Sequence, residues 1–384
     1  MKANPPTKFL SCFLSIFSYA TQADASISRY AAIDLQATYG SDLTFRGMSK
    51  NGTLTGYAPN PALVKVQNGI RTETAREANW GYVPYNDQGI SYRYQNIPGS
   101  TLTALNPDGT VTDTGYHLQG NSMSLNGHNR LGTVVGAEGG LTTNIFASGG
   151  FIYDPVNGGR LVETIDDVSV IAFERINDAG YIVGHGLTDG GNGSGTYLWR
   201  EGRPALQLVN DASLGDSEAR GINEAGQVIG LVGRDAFFWN GTSLLRPARY
   251  SVQDPTHPGT FNQVITSASC RGLSEDGMVV GAAGVRTVPG FTKPTSGVKG
   301  WIWTAEDGLV WMDDLIDPAL GFQLTGAIDL ADDGSILATG FLNGSNVPHQ
   351  FLLTPVPEPS VLLLSILGVG LAIRRRRSDG DGLS

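Results

Sequence analysis

Between residues 40 and 355 apolar and polar positions alternate in short runs, and no long helical stripe appears. A ten-residue unit recurs along this stretch, and its clearest copy is residues 221–230, GINEAGQVIG. Residues 175–184 (RINDAGYIVG), 272–281 (GLSEDGMVVG), 127–136 (GHNRLGTVVG) and 47–56 (GMSKNGTLTG) repeat it, and 329–338 (DLADDGSILA) is a weaker copy. The pattern predicts a β-hairpin. An apolar residue ends one strand, and Asn or Ser with an acidic residue and Gly makes a tight turn, Gly supplying positive φ. A β-branched pair opens the next strand. The closing Gly predicts that a second backbone comes close at that point.

A second segment follows most copies, with aromatic, apolar and aromatic residues before another turn. Phe237-Phe238-Trp239, Tyr197-Leu198-Trp199, Trp301-Ile302-Trp303 and Phe151-Ile152-Tyr153 are examples, and a third apolar segment such as Leu206 to Val209 or Leu309 to Met312 comes next. Each unit therefore holds about four short strands. The turn glycines Gly132, Gly180, Gly226, Gly277 and Gly334 recur at a period of roughly 50 residues, that of a four-stranded propeller blade. Gly52 stands 80 residues before Gly132, enough for one degenerate unit, for which Asn86-Asp87-Gln88-Gly89 is the candidate turn. The pattern predicts an all-β propeller of six or seven four-stranded blades, since a single blade cannot bury both faces and a ring can. Tyr30 to Leu35 resembles the segment Trp311 to Ile316, while the last unit, around His349 to Leu353, lacks a fourth strand. The N-terminal strand is expected to complete that last blade. A β-sandwich is the alternative fold.

Composition narrows the classes. Charged residues are 16% and glycines number 52, which suits short strands and tight turns. A net charge of −10, thinly spread, disfavours nucleic acid as a partner. The two cysteines, Cys12 and Cys270, are too few for a thiolate cluster, and Cys270 reads as a small buried hydrophobe.

The chain ends are patterned for membranes. Lys2 and Lys8 precede the apolar run 9–20, and Ala23-Asp24-Ala25 forms an A-x-A site, so residues 1–25 read as a signal peptide cut after Ala25. At the other end come Pro357-Glu358-Pro359, the uncharged run 361–373 and the cluster Arg374, Arg375, Arg376 and Arg377. As a helix that run is about 20 Å long against a hydrocarbon core of roughly 30 Å, so spanning needs bilayer thinning and snorkelling arginines. Four cations at one end place the tail in the cytoplasm and the body outside. The domain reading is 1–25 signal peptide, 26–353 β-repeat domain, 354–377 sorting and transmembrane segment, and 378–384 tail.

These C-terminal residues resemble the PEP-CTERM sorting domain, also catalogued as an ice-binding protein C-terminal domain. The resemblance covers about residues 355–377. It implies recognition by exosortase, a transpeptidase-like membrane protease, and delivery to the outer surface, often alongside exopolysaccharide. The repeats also resemble extracellular HAF repeats, in which an apolar-Asn-x-x-Gly turn precedes a His-Ala-Phe-Leu-Trp-like strand. Ala236-Phe237-Phe238-Trp239 and His349-Gln350-Phe351-Leu352 carry that likeness. It implies a structural or interaction role and transfers no catalytic residue.

No catalytic motif stands out. G-x-S-x-G, H-E-x-x-H and P-loop patterns are missing from the sequence, and His117, His128, His185, His257 and His349 share no ligand-like spacing. Asp332-Asp333-Gly334 and residues 189–195 (DGGNGSG) read as turns before they read as calcium loops. Trp199, Trp239 and Trp303 hold equivalent repeat positions and are expected to pack between blades. The sequence thus predicts a non-enzymatic exported protein of the cell surface or extracellular matrix, with no metal or cofactor. Its expected partners are the secretion machinery, an exosortase-like protease, the inner membrane through 361–373, and exopolysaccharide. The alternatives are a polysaccharide hydrolase or lyase acting at the propeller mouth, and a spacer without a ligand.

Overall fold

The computed structural model describes residues 29–356, apart from the internal stretches 60–61, 76–79, 96–98, 118–121, 140–147, 189–193, 210–215, 249–251, 254–260 and 288–296. Seven antiparallel sheets succeed one another along the chain, each built from neighbouring strands, and together they form a seven-bladed β-propeller. The radial sheets exclude the sandwich alternative.

Each blade runs from its inner to its outer strand. Blade 1 comprises Thr44–Met48, Leu54–Ala58, Ala62–Gln67 and Ile70–Ala75, and blade 2 comprises Trp80–Tyr82, Ser91–Gln95, Thr101–Leu105 and Val111–His117. Blade 3 comprises Ser122–His128, Val134–Gly139, Ser148–Asp154 and Gly158–Val162. Blade 4 has Val168–Ile176, Ile182–Thr188, Ser194–Trp199 and Leu206–Gln207; blade 5 has Ser217–Ile222, Val228–Val232, Asp235–Trp239 and Leu244–Leu245. Blade 6 has Phe261–Leu273, Val279–Thr287, Gly297–Thr304 and Gly308–Trp311. Two sheets depart from the expected four strands: Thr164–Ile165 adds a fifth to blade 4 and Val252–Gln253 a fifth to blade 6.

Blade 7 is built from both ends of the chain. Phe322–Leu330, Ile336–Leu342 and Pro348–Pro355 supply three strands, and Tyr30–Asp34 pairs antiparallel with the last, from Tyr30 opposite Pro355 to Asp34 opposite Phe351. This is the closure expected from the sequence. A short helix, α1 (Leu35–Tyr39), follows, capped by the Asp34 carboxylate, which accepts from the N–H groups of Gln36 and Ala37. The last strand runs through Pro355, two residues beyond the boundary expected for the repeat domain. The 361–373 helix expected at the C-terminus lies outside the described residues, and no described helix is long and apolar enough to cross a membrane.

The seven hairpin glycines, Gly52, Gly89, Gly132, Gly180, Gly226, Gly277 and Gly334, all have φ between +76° and +87°. Gly89 belongs among them, so the degenerate unit is a full blade. Residues 105–110, which look like another partial copy, are instead the outer hairpin of blade 2.

The closing glycine of the unit also has its predicted role. A Cβ on Gly56, Gly136, Gly184, Gly230 or Gly281 would lie 1.9–2.7 Å from an inner-strand carbonyl oxygen, while blades 2 and 7 place Arg93 and Ala338 at this site. Each inner strand of blades 1 and 3–7 carries a register shift near this point, which turns its carbonyl toward the glycine. Aromatic rings fill the space between blades. Tyr116 packs on Phe151, Tyr92 near Tyr153, and Phe238 on Trp303, with centroids 4.9, 6.0 and 5.3 Å apart. Trp303 thus packs between blades as expected; Trp199 stacks on Phe173 of its own blade at 5.7 Å and 5° and also packs against a cluster that includes Val135 and Ile152 of blade 3. Cys270 is fully buried, donates to the Gly230 carbonyl at 3.0 Å, and has its thiol pushed up to about 12 by burial.

Candidate functional site

The turns between the first and second strands crowd around one mouth of the central channel. Asn86, Asn129, Asn177 and Asn223 open four of these turns, and all four are buried. Each uses its side-chain oxygen to accept the N–H four residues ahead, at 2.8–2.9 Å, which closes its own turn. Each then donates its amide to the carbonyl of the equivalent residue in the next blade: Asn86 to Asn129 at 3.3 Å, Asn129 to Asn177 at 3.2 Å, Asn177 to Asn223 and Asn223 to Ser274 both at 3.0 Å. A residue selected for turn chemistry thereby ties five blades together.

The next turn position adds charge. The backbone N–H groups of Arg130, Asp178 and Glu224 donate to the carboxylates of Asp178, Glu224 and Glu275, one blade further on. Lys50 forms an ion pair with Glu275, linking blades 1 and 6. Asp332 and Asp333, weighed as a calcium loop, form the blade 7 turn instead: Asp332 donates its N–H to the Lys50 carbonyl and Asp333 accepts from Ser335. Among the described residues no three His, Cys, Asp or Glu side chains gather as metal ligands.

Deeper in the channel the inner strands carry Arg46, Glu174, Arg175, Glu218, Arg220, Arg271 and Asp329. The Asp329 carboxylate accepts the Met48 N–H of blade 1 and the Leu330 N–H, both at 2.9 Å, and burial pushes its pKa up to about 6. Glu218 pairs with Arg220 at 2.8 Å. Glu174 stands 3.4 Å from Nδ1 of His185. That spacing suits an ion pair, but burial drives both groups toward their neutral forms. The Glu174 carboxyl rises from 4.5 to about 7, chiefly by burial, with Arg175 opposing the rise and Glu218 adding to it, and the imidazole pKa falls for want of solvation. Near neutrality the contact is a neutral imidazole beside a half-ionised acid.

The linkage has a definite sign. Between pH 4.5 and about 7 folded Glu174 keeps a proton that the unfolded chain releases, so this group's contribution makes stability fall as pH rises across that window and levels off above it. Glu174→Gln is expected to flatten the difference in denaturation midpoint between pH 5 and pH 7.5; an unchanged difference would contradict the assignment.

On the same face, between blades 3 and 4, lies an open cleft of about 420 Å³. Ile152, Ile176 and Ile182 are buried beneath it, and Trp199 borders it. Thr133, Asp154, Asn157, Arg160, Arg200 and Glu201 supply polar groups around these apolar side chains. An inter-blade ion pair stands on either flank, Arg130 with Asp178 and Arg160 with Glu201, the latter at 2.9 Å. The volume falls in the roughly 300–1,000 Å³ range of small-molecule sites. Apart from Trp199, nothing here was legible in the sequence, because the cleft joins residues from two repeats.

The sequence-predicted sorting residues, Ala23, Ala25, Pro357, Glu358, Pro359, Arg374, Arg375, Arg376 and Arg377, lie outside the described residues. So do His257 and residues 189–193 of the glycine-rich segment. His349 is a closure residue, its Nδ1 2.7 Å from the Asp34 carboxylate.

No protein-family profile and no curated protein sequence matches this chain. Solved structures do resemble it. A structure of streptogramin B lyase reaches a TM-score of 0.47 at 11% identity, covering 86% of this chain and 100% of that one. An oligogalacturonate lyase in complex with manganese reaches 0.32 at 12% identity, with 80% and 74% covered. Dipeptidyl peptidase 4 of Porphyromonas gingivalis reaches 0.37 at 8% identity, with 79% and 65% covered. At these identities the likeness concerns the propeller fold alone, and any chemistry must be argued from this chain's own residues.

Proposed function

We propose that this is an exported cell-surface or matrix protein whose propeller binds polysaccharide or another envelope component without transforming it. The terminal patterns support export and sorting: an A-x-A site at Ala23 to Ala25, then Pro357-Glu358-Pro359, the apolar run 361–373 and Arg374 to Arg377. An exosortase-like protease would act on the second of these. The observation that carries the binding role is the open cleft between blades 3 and 4, a preformed amphipathic site on a ring whose inner turns are cross-linked by hydrogen bonds. The charges on the channel wall fit a passive ring, since Glu218 is paired with Arg220 and Asp329 is held by backbone N–H groups.

The test combines intact-mass analysis of the secreted protein with a polysaccharide array. The expected mature chain begins after Ala25, lacks the Arg-rich tail, and retains at least one neutral or acidic polysaccharide. Silence across the array removes the binding role, and a cytosolic chain retaining Met1 and Ser384 removes export. One observation favours a hydrolase or lyase as a second reading: Glu174, with a pKa of about 7, is influenced by the neighbouring carboxylate of Glu218. Release of new chain ends from a bound polysaccharide, abolished by Glu174→Gln, would replace the passive reading with this one.

A further inference from the structure

In blades 2, 4 and 6 the residue directly after the hairpin glycine packs into an apolar cluster shared with the next blade. Ile90 of blade 2 packs against the cluster holding Val134 and Tyr153 of blade 3. Tyr181 of blade 4 packs against the cluster holding Val228 and Phe237 of blade 5. Met278 of blade 6 packs against the cluster holding Leu353 of blade 7, and its sulfur accepts from the Tyr30 hydroxyl at 4.0 Å. Blades 1, 5 and 7 carry Thr53, Gln227 and Ser335 at this position, and in blade 3 it is Thr133, which lines the cleft beside Trp199.

The open gap has the chemistry of a sugar site. Its floor is aliphatic, Trp199 forms part of its wall, and Leu131, 68% exposed, extends the apolar surface to the rim. A pyranose presents C–H faces to such a surface and hydroxyls to its edge. The edge here offers both donors and acceptors, from Thr133, Asp154, Asn157, Arg160 and Arg200. The charged groups already have partners. Arg160 pairs with Glu201, Arg200 lies over the Tyr181 ring at 5.2 Å, and one Asp154 oxygen accepts from the N–H groups of Val156 and Asn157. No free cationic pair is left to hold a carboxylate or phosphate bidentately. Resting on the polysaccharide-binding reading above, we propose that the blade 3–4 cleft is a subsite for one or two neutral hexose units of a glycan, with Thr133 on its wall.

The test titrates the purified full chain with the methyl glycosides of glucose, galactose and mannose, with cellobiose and maltose, and with glucuronate and galacturonate, read by calorimetry and tryptophan fluorescence. At least one neutral sugar is expected to bind and to shift the fluorescence. Thr133→Met, which installs the side chain that blade 6 uses, should weaken that binding by about tenfold or more while keeping the unfolding midpoint. Thr133→Ser should bind as the parent does. If Thr133→Met does not fold, Arg160→Ala carries the same expectation at the exposed rim, with a several-fold loss. Silence of every neutral sugar, or tighter binding of the uronates, overturns the proposal. So does binding unchanged in Thr133→Met and Arg160→Ala, which would leave the polysaccharide reading standing and move its site elsewhere.

Discussion

Gly281→Ala is expected to lower stability by about 3 kcal/mol or more, the upper end of what overpacking a core costs. A methyl group there would lie 1.9 Å from the Ser269 carbonyl oxygen and 2.6 Å from the Trp301 ring, both inside van der Waals contact. Neither neighbour has room to move. The carbonyl belongs to the inner strand of blade 6, whose register already shifts between Cys270 and Gly272, and Trp301 is fully buried. Gly136→Ala should behave alike, because its methyl would also lie 1.9 Å from a carbonyl oxygen, that of Ser124. The control is Gly226→Ala. Gly226 has φ of +78° and nothing within 4 Å of a built Cβ, so only the left-handed conformation is penalised, at about 1 kcal/mol. Urea denaturation followed by circular dichroism separates the two, since a domain of this kind has only about 5–15 kcal/mol to lose. Equal midpoints for Gly281→Ala and Gly226→Ala would refute the close approach.

Removing residues 29–40 should abolish cooperative unfolding altogether. Those residues contribute the outer strand Tyr30–Asp34 of blade 7 and helix α1, including Tyr30 and Leu35, which are 5% and 0% exposed. Without them the strand Pro348–Pro355 becomes a bare edge open to pairing with another chain. The junction is also held by a side-chain network. Gln350 accepts the Phe45 N–H at 2.7 Å and donates to the Phe45 carbonyl at 2.8 Å, and its own N–H donates to Gln36 at 2.7 Å. Gln350→Ala tests this junction with the chain intact. It strands the buried N–H and C=O of Phe45, at about 1–3 kcal/mol for each unsatisfied group, so a loss of roughly 2–4 kcal/mol is expected. Size-exclusion chromatography and thermal melts read both variants. A monomeric, cooperatively melting truncation would show that the ring closes without its N-terminal strand.

Some roles were readable because they are local. Gly226 was marked as a turn residue by Asn223 and Glu224 before it, and the structure gives it positive φ. Gly281 was marked as a point of close approach by its place after Val279-Val280, and it is one. Trp303 packs between blades as its place in the repeat suggested. Trp199 stacks on Phe173 of its own blade while packing against a cluster that spans blades 3 and 4. Glu174 gave no signal, since its raised pKa depends on burial and on Glu218 in the next blade.

The inner hairpins, their glycines, the blade period and the completion of blade 7 by the N-terminus follow from the sequence alone. Each is written in contiguous residues, where side-chain alternation and turn chemistry act within a few positions. The count of seven, the asparagine belt from Asn86 to Ser274, the Glu174–His185 contact and the cleft behind Thr133 belong to the tertiary structure. Each joins side chains 40 or more residues apart or compares equivalent positions around the ring, or, for Glu174 and His185, depends on how two adjacent strands are buried. Repeat units specify their own hairpins, but only a closed ring decides what each hairpin faces.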